Sequence, residues 1–242
     1  MNIKIKTEFI VGLIALYLLI SITGCKKETP PASVTGTVTD KQGNVYKTVK
    51  IGNQTWMAED LRATDYWNAV SVKLIESDTA AWSHDTVGAY CIGATGYLYN
   101  WYAIHSKKHR ISPAGWHIPT DNDWKILEKY LGMSIEDADR LGWRGNDEGE
   151  KLKLAGVENW LQYKEVWATN ESGFCAQAGN CRLFNGKGGD PIGSGYMGFW
   201  WTDTEDSINH QVWYRYLDYK NANVFRFYGP KTYGFSVRCV KD

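Results

Sequence analysis

The sequence carries no excess charge of either sign: 27 Lys and Arg stand against 27 Asp and Glu. No global field therefore draws the chain toward nucleic acid or an acidic polymer, and no nucleic-acid partner is expected. CxxC-type spacings are missing among its cysteines, which removes the usual grounds for a structural zinc site. Long apolar runs are missing too. The run from Phe9 to Ile22 falls short of the ~20 residues that a bilayer crossing requires.

That short run follows the basic start Met1-Asn2-Ile3-Lys4-Ile5-Lys6 and ends in small residues, which is the pattern of an export signal. The closing Ile22-Thr23-Gly24-Cys25 resembles the bacterial lipobox, in which an aliphatic residue and two small ones precede a lipid-modified Cys. Residues 1–24 are expected to be a lipoprotein signal peptide and Cys25 a membrane anchor. From Cys25 to Gly36 the chain has Lys-Lys-Glu, Pro30-Pro31 and few apolar groups, so a flexible tether is expected over 25–36. An Asp after the Cys favours inner-membrane retention in the enteric sorting scheme. Lys26 does not, so the expectation is an outer-membrane lipoprotein, on the periplasmic or cell-surface face.

Removing the first 24 of 242 residues leaves 218, and 37–242 reads as one domain. Aromatics make up 14% of the chain, with 12 Trp and 15 Tyr, and there are 24 Gly. Such a composition suits loop-rich β-structure and the recognition of sugars or proteins. Four cysteines follow the anchor: Cys91, Cys175, Cys181 and Cys239. An exported chain meets oxidising conditions, so the even number argues for two disulfides, with three connectivities open. Cys175 and Cys181 flank "AQAGN", where a local bridge is the shortest closure; Cys91 and Cys239 then remain for each other.

Along the chain, Gln42-Gly43-Asn44 and Gly52-Asn53 are hairpin turn signals between strands that include Tyr46–Ile51 and Thr55–Ala58. Residues 62–96 read as a long loop with Trp67 and Trp82 set into the core, and "GYLYNWYAI" as a strand or short helix. Thr120 and Asp123 make a capping box, so a helix runs from there to Gly132 with Trp124, Leu127, Tyr130 and Leu131 on one face. A second, shorter helix is expected at "NDEGEKLKLAG", capped by Asn146 or Asp147. The last third alternates: Phe235, Val237 and Cys239 share one face of the final strand, and Ser236, Arg238 and Val240 the other.

Eight segments in order, "GNVYKTVKIGNQTWMAEDL", "GYLYNWYA", "PAGWHIPTDNDWKIL", "GWRGNDEGEKLKLAG", "GFCAQAGNCR", "FWWTDTED", "WYRYL" and "GFSVRCVKD", resemble the successive blocks of the Fibrobacter succinogenes major paralogous domain (FISUMP). The resemblance spans about Val38 to Asp242. It implies an α+β, C-type-lectin-like domain, with two helices, small twisted antiparallel sheets and long loops, in surface or secreted proteins that are often lipoproteins. Family members usually have a Cys where Ser112 stands here, which leaves the partner of Cys239 open. They commonly have Ser and an aromatic at Cys175 and Cys181, which supports a private bridge between those two. No established activity comes with the resemblance.

The formylglycine-generating oxidases of related shape use reactive cysteines with copper, and a disulfide-paired set offers no such thiol. His105 and His109 have metal-ligand spacing, but Lys107, Lys108 and Arg110 repel a cation. His117 reads as a structural hydrogen-bonding residue. Asp121, Asp123, Asp147, Glu148 and Glu150 read as helix-start charges rather than glycosidase acids. "WTDTEDSINH" supplies Asp203, Glu205, Asp206 and Asn209 as possible calcium ligands, although the Glu-Pro-Asn and Trp-Asn-Asp signatures of calcium-dependent lectins are absent. Half of the aromatics around Trp201 and Trp213 must be core, and the other half are candidates for an exposed patch.

These readings combine into one expectation: a non-catalytic, lipid-anchored binding or adhesion protein of the cell envelope that recognises glycan through loops and aromatic side chains. The expected contact residues are Trp201, Asp203, Asn209, Trp213 and Arg215. No cofactor is expected, with calcium as the exception to test. A protein-interaction module is the competing class, and an oxidase the third.

Overall fold

A computed structural model describes residues 34–106, 109–183 and 195–242. The expected signal segment, Cys25 and most of the expected tether lie outside the described residues.

The first hairpins form where the turn residues sit. Strands β1 (Val34–Thr39) and β2 (Val45–Ile51) are joined through Asp40, whose Oδ1 accepts from the backbone N–H groups of Gln42 and Asn44, each at 2.9 Å. Strand β3 (Gln54–Met57) follows β2 after Gly52 and Asn53 alone. Gly52 has φ +60°, and a Cβ there would meet the Tyr130 ring at 2.7 Å, so conformation and space both require glycine. β1 starts ahead of the boundary expected at residue 37.

The stretch read as a long loop is more ordered than expected. It holds β4 (Lys73–Leu74), α1 (Thr79–His84), β5 (Ala89–Ile92) and, just past it, β6 (Tyr97–Tyr99) and α2 (Trp101–Ile104). Asp78 and Asn100 cap the two short helices by accepting from Ala81 N and Ala103 N. Trp82 is fully buried, as expected; Trp67 is only half-buried and donates through Nε1 to Ser112 O at 2.7 Å. β4 runs parallel to β5 because the chain crosses over through α1, so this sheet is mixed where antiparallel pairing was expected.

Next come β7 (Trp116–His117), α3 (Asp121–Tyr130), α4 (Ile135–Asp139), β8 (Gly142–Arg144) and α5 (Glu148–Leu152). Both halves of the expected capping box form at α3: Thr120 Oγ1 accepts from Asp123 N at 3.1 Å, and Asp123 Oδ2 accepts from Thr120 N at 2.8 Å. Trp124, Leu127 and Leu131 face the core. Tyr130 does not: it is 53% exposed and turns toward Gly52. α5 begins after Asp147, whose side chain makes no capping bond, and α4, capped by Ser134, is an unexpected addition.

The last strands are β9 (Met197–Glu205), β10 (Val212–Asp218), β11 (Val224–Gly229) and β12 (Val240–Lys241). Among the described residues the sheets run β1-β2-β3-β12-β7, β8-β11-β10-β9 and β4-β5-β6. β12 thus lies between β3 and β7, tying the end of the domain to its start. The four-stranded sheet is covered on both faces. Phe199, Trp201, Val212 and Tyr214 pack with Phe235, Val237 and Cys239 on one side, and Trp200, Leu217 and Val224 with Trp124 and Leu127 on the other. The fold is α+β and mostly β, and among the described residues the two expected helices, α3 and α5, are joined by three further short ones, α1, α2 and α4.

Candidate functional site

The residues expected to form a patch do not come together at the surface. Trp201 and Arg215 are fully buried, because strands covered on both faces leave neither set of alternating residues for solvent. Trp213 is half-buried, with the Arg226 guanidinium 3.7 Å from its ring centroid and the Tyr228 ring edge-on at 5.2 Å. Asp203 is engaged by His105 Nδ1, and the His105 ring stacks on Trp101 at 3.9 Å. Asn209 is exposed but donates to Asp206 Oδ2 at 2.7 Å, and Glu205 pairs with Lys231 at 2.9 Å. The acidic loop is therefore committed to protein partners. Among the described residues no group of three or more His, Cys, Asp or Glu side chains is placed to hold a metal ion.

The other histidines have similarly local roles. His117 bridges Asp242 at 2.7 Å and Asp123 at 3.3 Å, which is the structural part expected of it; the bond to Asp123 holds its imidazole above the ordinary value. His109 meets Asn68 Nδ2 at 2.7 Å, away from the His105–Asp203 pair.

Neither expected disulfide is formed, and all four cysteines are thiols. Cys175 packs against the core cluster of α3 while Cys181 belongs to the cluster across the sheet. The Cys175 Sγ accepts from Asn170 Nδ2 at 3.2 Å and donates to Gly173 O at 3.3 Å. Cys91 lies in a third cluster with Trp82 and Leu98, apart from Cys239. Burial pushes the thiols of Cys91, Cys181 and Cys239 above the ordinary range, Cys181 to about 12.

The aromatic surface that the structure does provide is elsewhere. After α5 the chain turns at Gly156, and Trp160 folds inward, donating through Nε1 to Ala176 O at 2.8 Å. A tight turn at Tyr163–Val166 follows, closed by Gln162, whose amide donates to Lys164 O at 2.9 Å and Val166 O at 3.0 Å. Glu150 then accepts from Trp167 N at 2.6 Å and fixes that residue at the rim. Tyr219 arrives from the β10–β11 turn and packs edge-on against Tyr163 at 5.7 Å and Tyr196 at 5.2 Å. Together Lys153, Trp160, Leu161, Gln162, Trp167 and Tyr219 line a largely apolar cleft of about 210 Å³. Trp160 is its buried wall and Trp167 its open one, 56% exposed.

Two buried ion-pair groups carry the fold rather than a ligand. On α3, Glu128 accepts from Arg144 Nη2 at 2.8 Å and Arg215 Nε at 2.6 Å, and Asp121 accepts from Arg215 Nη1 at 2.8 Å and Arg226 Nη2 at 2.7 Å. Burial opposes charge on Asp121, but bonds from Arg226 and the field of Arg215 outweigh it and hold the carboxyl well below its ordinary range. Asp60 likewise binds Arg238 Nε and Trp200 Nε1, both at 2.9 Å, at the edge of a second cleft lined by Lys47, Glu59, Cys175 and Gln177.

Fold and site define a small, mostly β domain with an open aromatic cleft and a core pinned by buried arginines. The family model for the Fibrobacter succinogenes major domain matches residues 49–241, and the chain belongs to that family. No curated protein and no solved structure matches the chain.

Proposed function

We propose that this chain is a non-catalytic, lipid-anchored binding protein of the cell envelope that recognises glycan through the Trp160–Trp167–Tyr219 cleft. The observation that carries the reading is Trp167, a large ring left 56% exposed beside an apolar cleft instead of being packed away. Stiff aromatic faces stack on sugar rings with little loss of conformational entropy, and the side-chain carbonyl of Gln162, whose amide donors close the turn, is a polar group beside them that orients a ligand. Recognition proceeds without a metal, since Asp203, Glu205 and Asp206 are already engaged. A C-type-lectin-like arrangement is supported by the small sheets, the closing strand β12 set among early strands, and the loop-rich stretch over residues 153–183. The anchor and the outer-membrane address rest on Ile22-Thr23-Gly24-Cys25 and on Lys26.

The test is binding of the detergent-purified full chain to a broad glycan panel, with calcium and with chelator. Equal binding in both arms is expected. No binding by a folded sample would turn the assignment to a protein-interaction module, and loss in chelator would return the Asp203–Asn209 loop to the site.

A further inference from the structure

Lys153 is an unusual wall for a cleft that takes only neutral sugars. It follows α5 and is 1% exposed, yet it lines the cleft. Its Nζ donates to Asn221 O at 2.7 Å and lies 5.3 Å from the Trp160 ring centroid. An ammonium has three donors, and Asn221 is the single hydrogen-bond acceptor that the described residues provide. The carboxylates that act on it are Glu150 and Asp218, and both are spent elsewhere. Glu150 accepts from Trp167 N at 2.6 Å. Asp218 Oδ1 accepts from Lys220 N at 2.8 Å and Asn221 Nδ2 at 2.8 Å, and its Oδ2 from Tyr216 Oη at 3.1 Å.

A buried cation with no counter-ion in contact is costly, and the cost falls when an anion arrives. Here desolvation outweighs the field of Asp218 and Glu150 and has pushed the amine down to about 8, so its charge at neutral pH is held with no carboxylate in contact among the described residues. The rim carries both signs: Lys220 Nζ is 5.2 Å from the Tyr219 centroid and Lys164 Nζ 5.2 Å from that of Tyr163, while the Glu158 carboxylate lies against Gly156 of the cleft wall, so the selecting charge is that of Lys153 itself. Glu158 and Glu165, on the same loop, are exposed.

We infer that the cleft selects acidic saccharides, with a uronic acid carboxylate meeting Lys153 Nζ while the sugar ring lies on Trp167 and Tyr219. The inference rests on the glycan reading above and names its ligand class. A charge-assisted bond to a desolvated amine is the stronger kind, and a neutral sugar at the same place leaves the cation unpaired.

The experiment is calorimetric titration of the full chain with tetramers of galacturonate, mannuronate and guluronate, and with the same tetramers after reduction of each carboxylate to an alcohol. At least one acid is expected to bind tenfold or more tightly than its reduced form, and Lys153→Met is expected to bring that ratio close to one. Equal binding of acid and alcohol overturns the inference and leaves the glycan reading standing. A preference that survives in Lys153→Met, checked for folding by circular dichroism, overturns the assignment to Lys153. Should neither set bind, the inference fails; should the broad glycan panel be silent as well, the glycan reading fails with it. The wild-type ratio needs no variant to fold.

Discussion

Arg215 and Glu128 meet at 2.6 Å with neither side chain exposed, joining the middle of the four-stranded sheet to α3. Glu128 also holds Arg144, so one carboxylate bonds two buried guanidiniums, and Asp121 supplies the second negative charge beside Arg215. Glu128→Gln leaves Arg144 with no carboxylate in contact among the described residues and Arg215 with Asp121 alone, and breaking such a buried pair costs about 3–5 kcal/mol. Urea unfolding of the wild type and variant measures it; a loss below about 1 kcal/mol would contradict the described pairing.

The Asp121 carboxyl titrates below its ordinary value in the folded chain. A depressed acid contributes stability that is present above the unfolded pKa, near ~4, and is lost as pH falls through the folded one. Urea midpoints are therefore expected to fall steeply below pH ~4 in the wild type and less steeply in Asp121→Asn, which lacks that titration. Parallel pH profiles would exclude Asp121 as the source.

Lys153 gives the opposite sign. Its folded amine titrates near about 8, below the value of a free lysine, so burial of its charge costs stability at neutral pH. The cost is fully present below about 8 and disappears as pH rises toward ~10.4, where the unfolded chain also loses the proton. Lys153→Met is thus expected to be as stable as wild type or more so at pH 7, with the difference shifting toward wild type by pH 10. A stability gap that does not change with pH would contradict a desolvated amine.

The hairpins and α3 were legible in the sequence because their signals are local: Gly52-Asn53 allows one short turn, and Thr120 with Asp123 satisfies the first N–H groups of one helix. The contact residues were not, because alternation separates two faces of a strand without saying whether either is wet. Trp201 and Arg215 lie on opposite faces of a sheet that is covered on both. The bridge expected between Cys175 and Cys181 failed on the same ground, since closeness in sequence does not show that one lies with each core cluster. Trp167 and Tyr219 belong to segments that no local periodicity connects. Trp167 was not among the expected contact residues; the signal that marks it is a Trp set in a polar loop, "QYKEVWATN", without an apolar face to join.

The thiols give a direct count. Cys25→Ser chain, denatured without reductant, is expected to titrate four thiols; in the native state Cys175 reacts first, since Cys91, Cys181 and Cys239 are buried. Two thiols or none would restore the disulfides. The same variant is expected to leave the membrane fraction, and sedimentation with membranes after alkaline wash would contradict lipid anchoring.

The most direct test of the account is titration of wild type and Trp167→Ala with the tightest-binding glycan of the panel. Trp167 is 56% exposed, so the variant is expected to keep its unfolding midpoint while losing affinity by tenfold or more. Unchanged affinity in the variant would move glycan recognition away from this cleft.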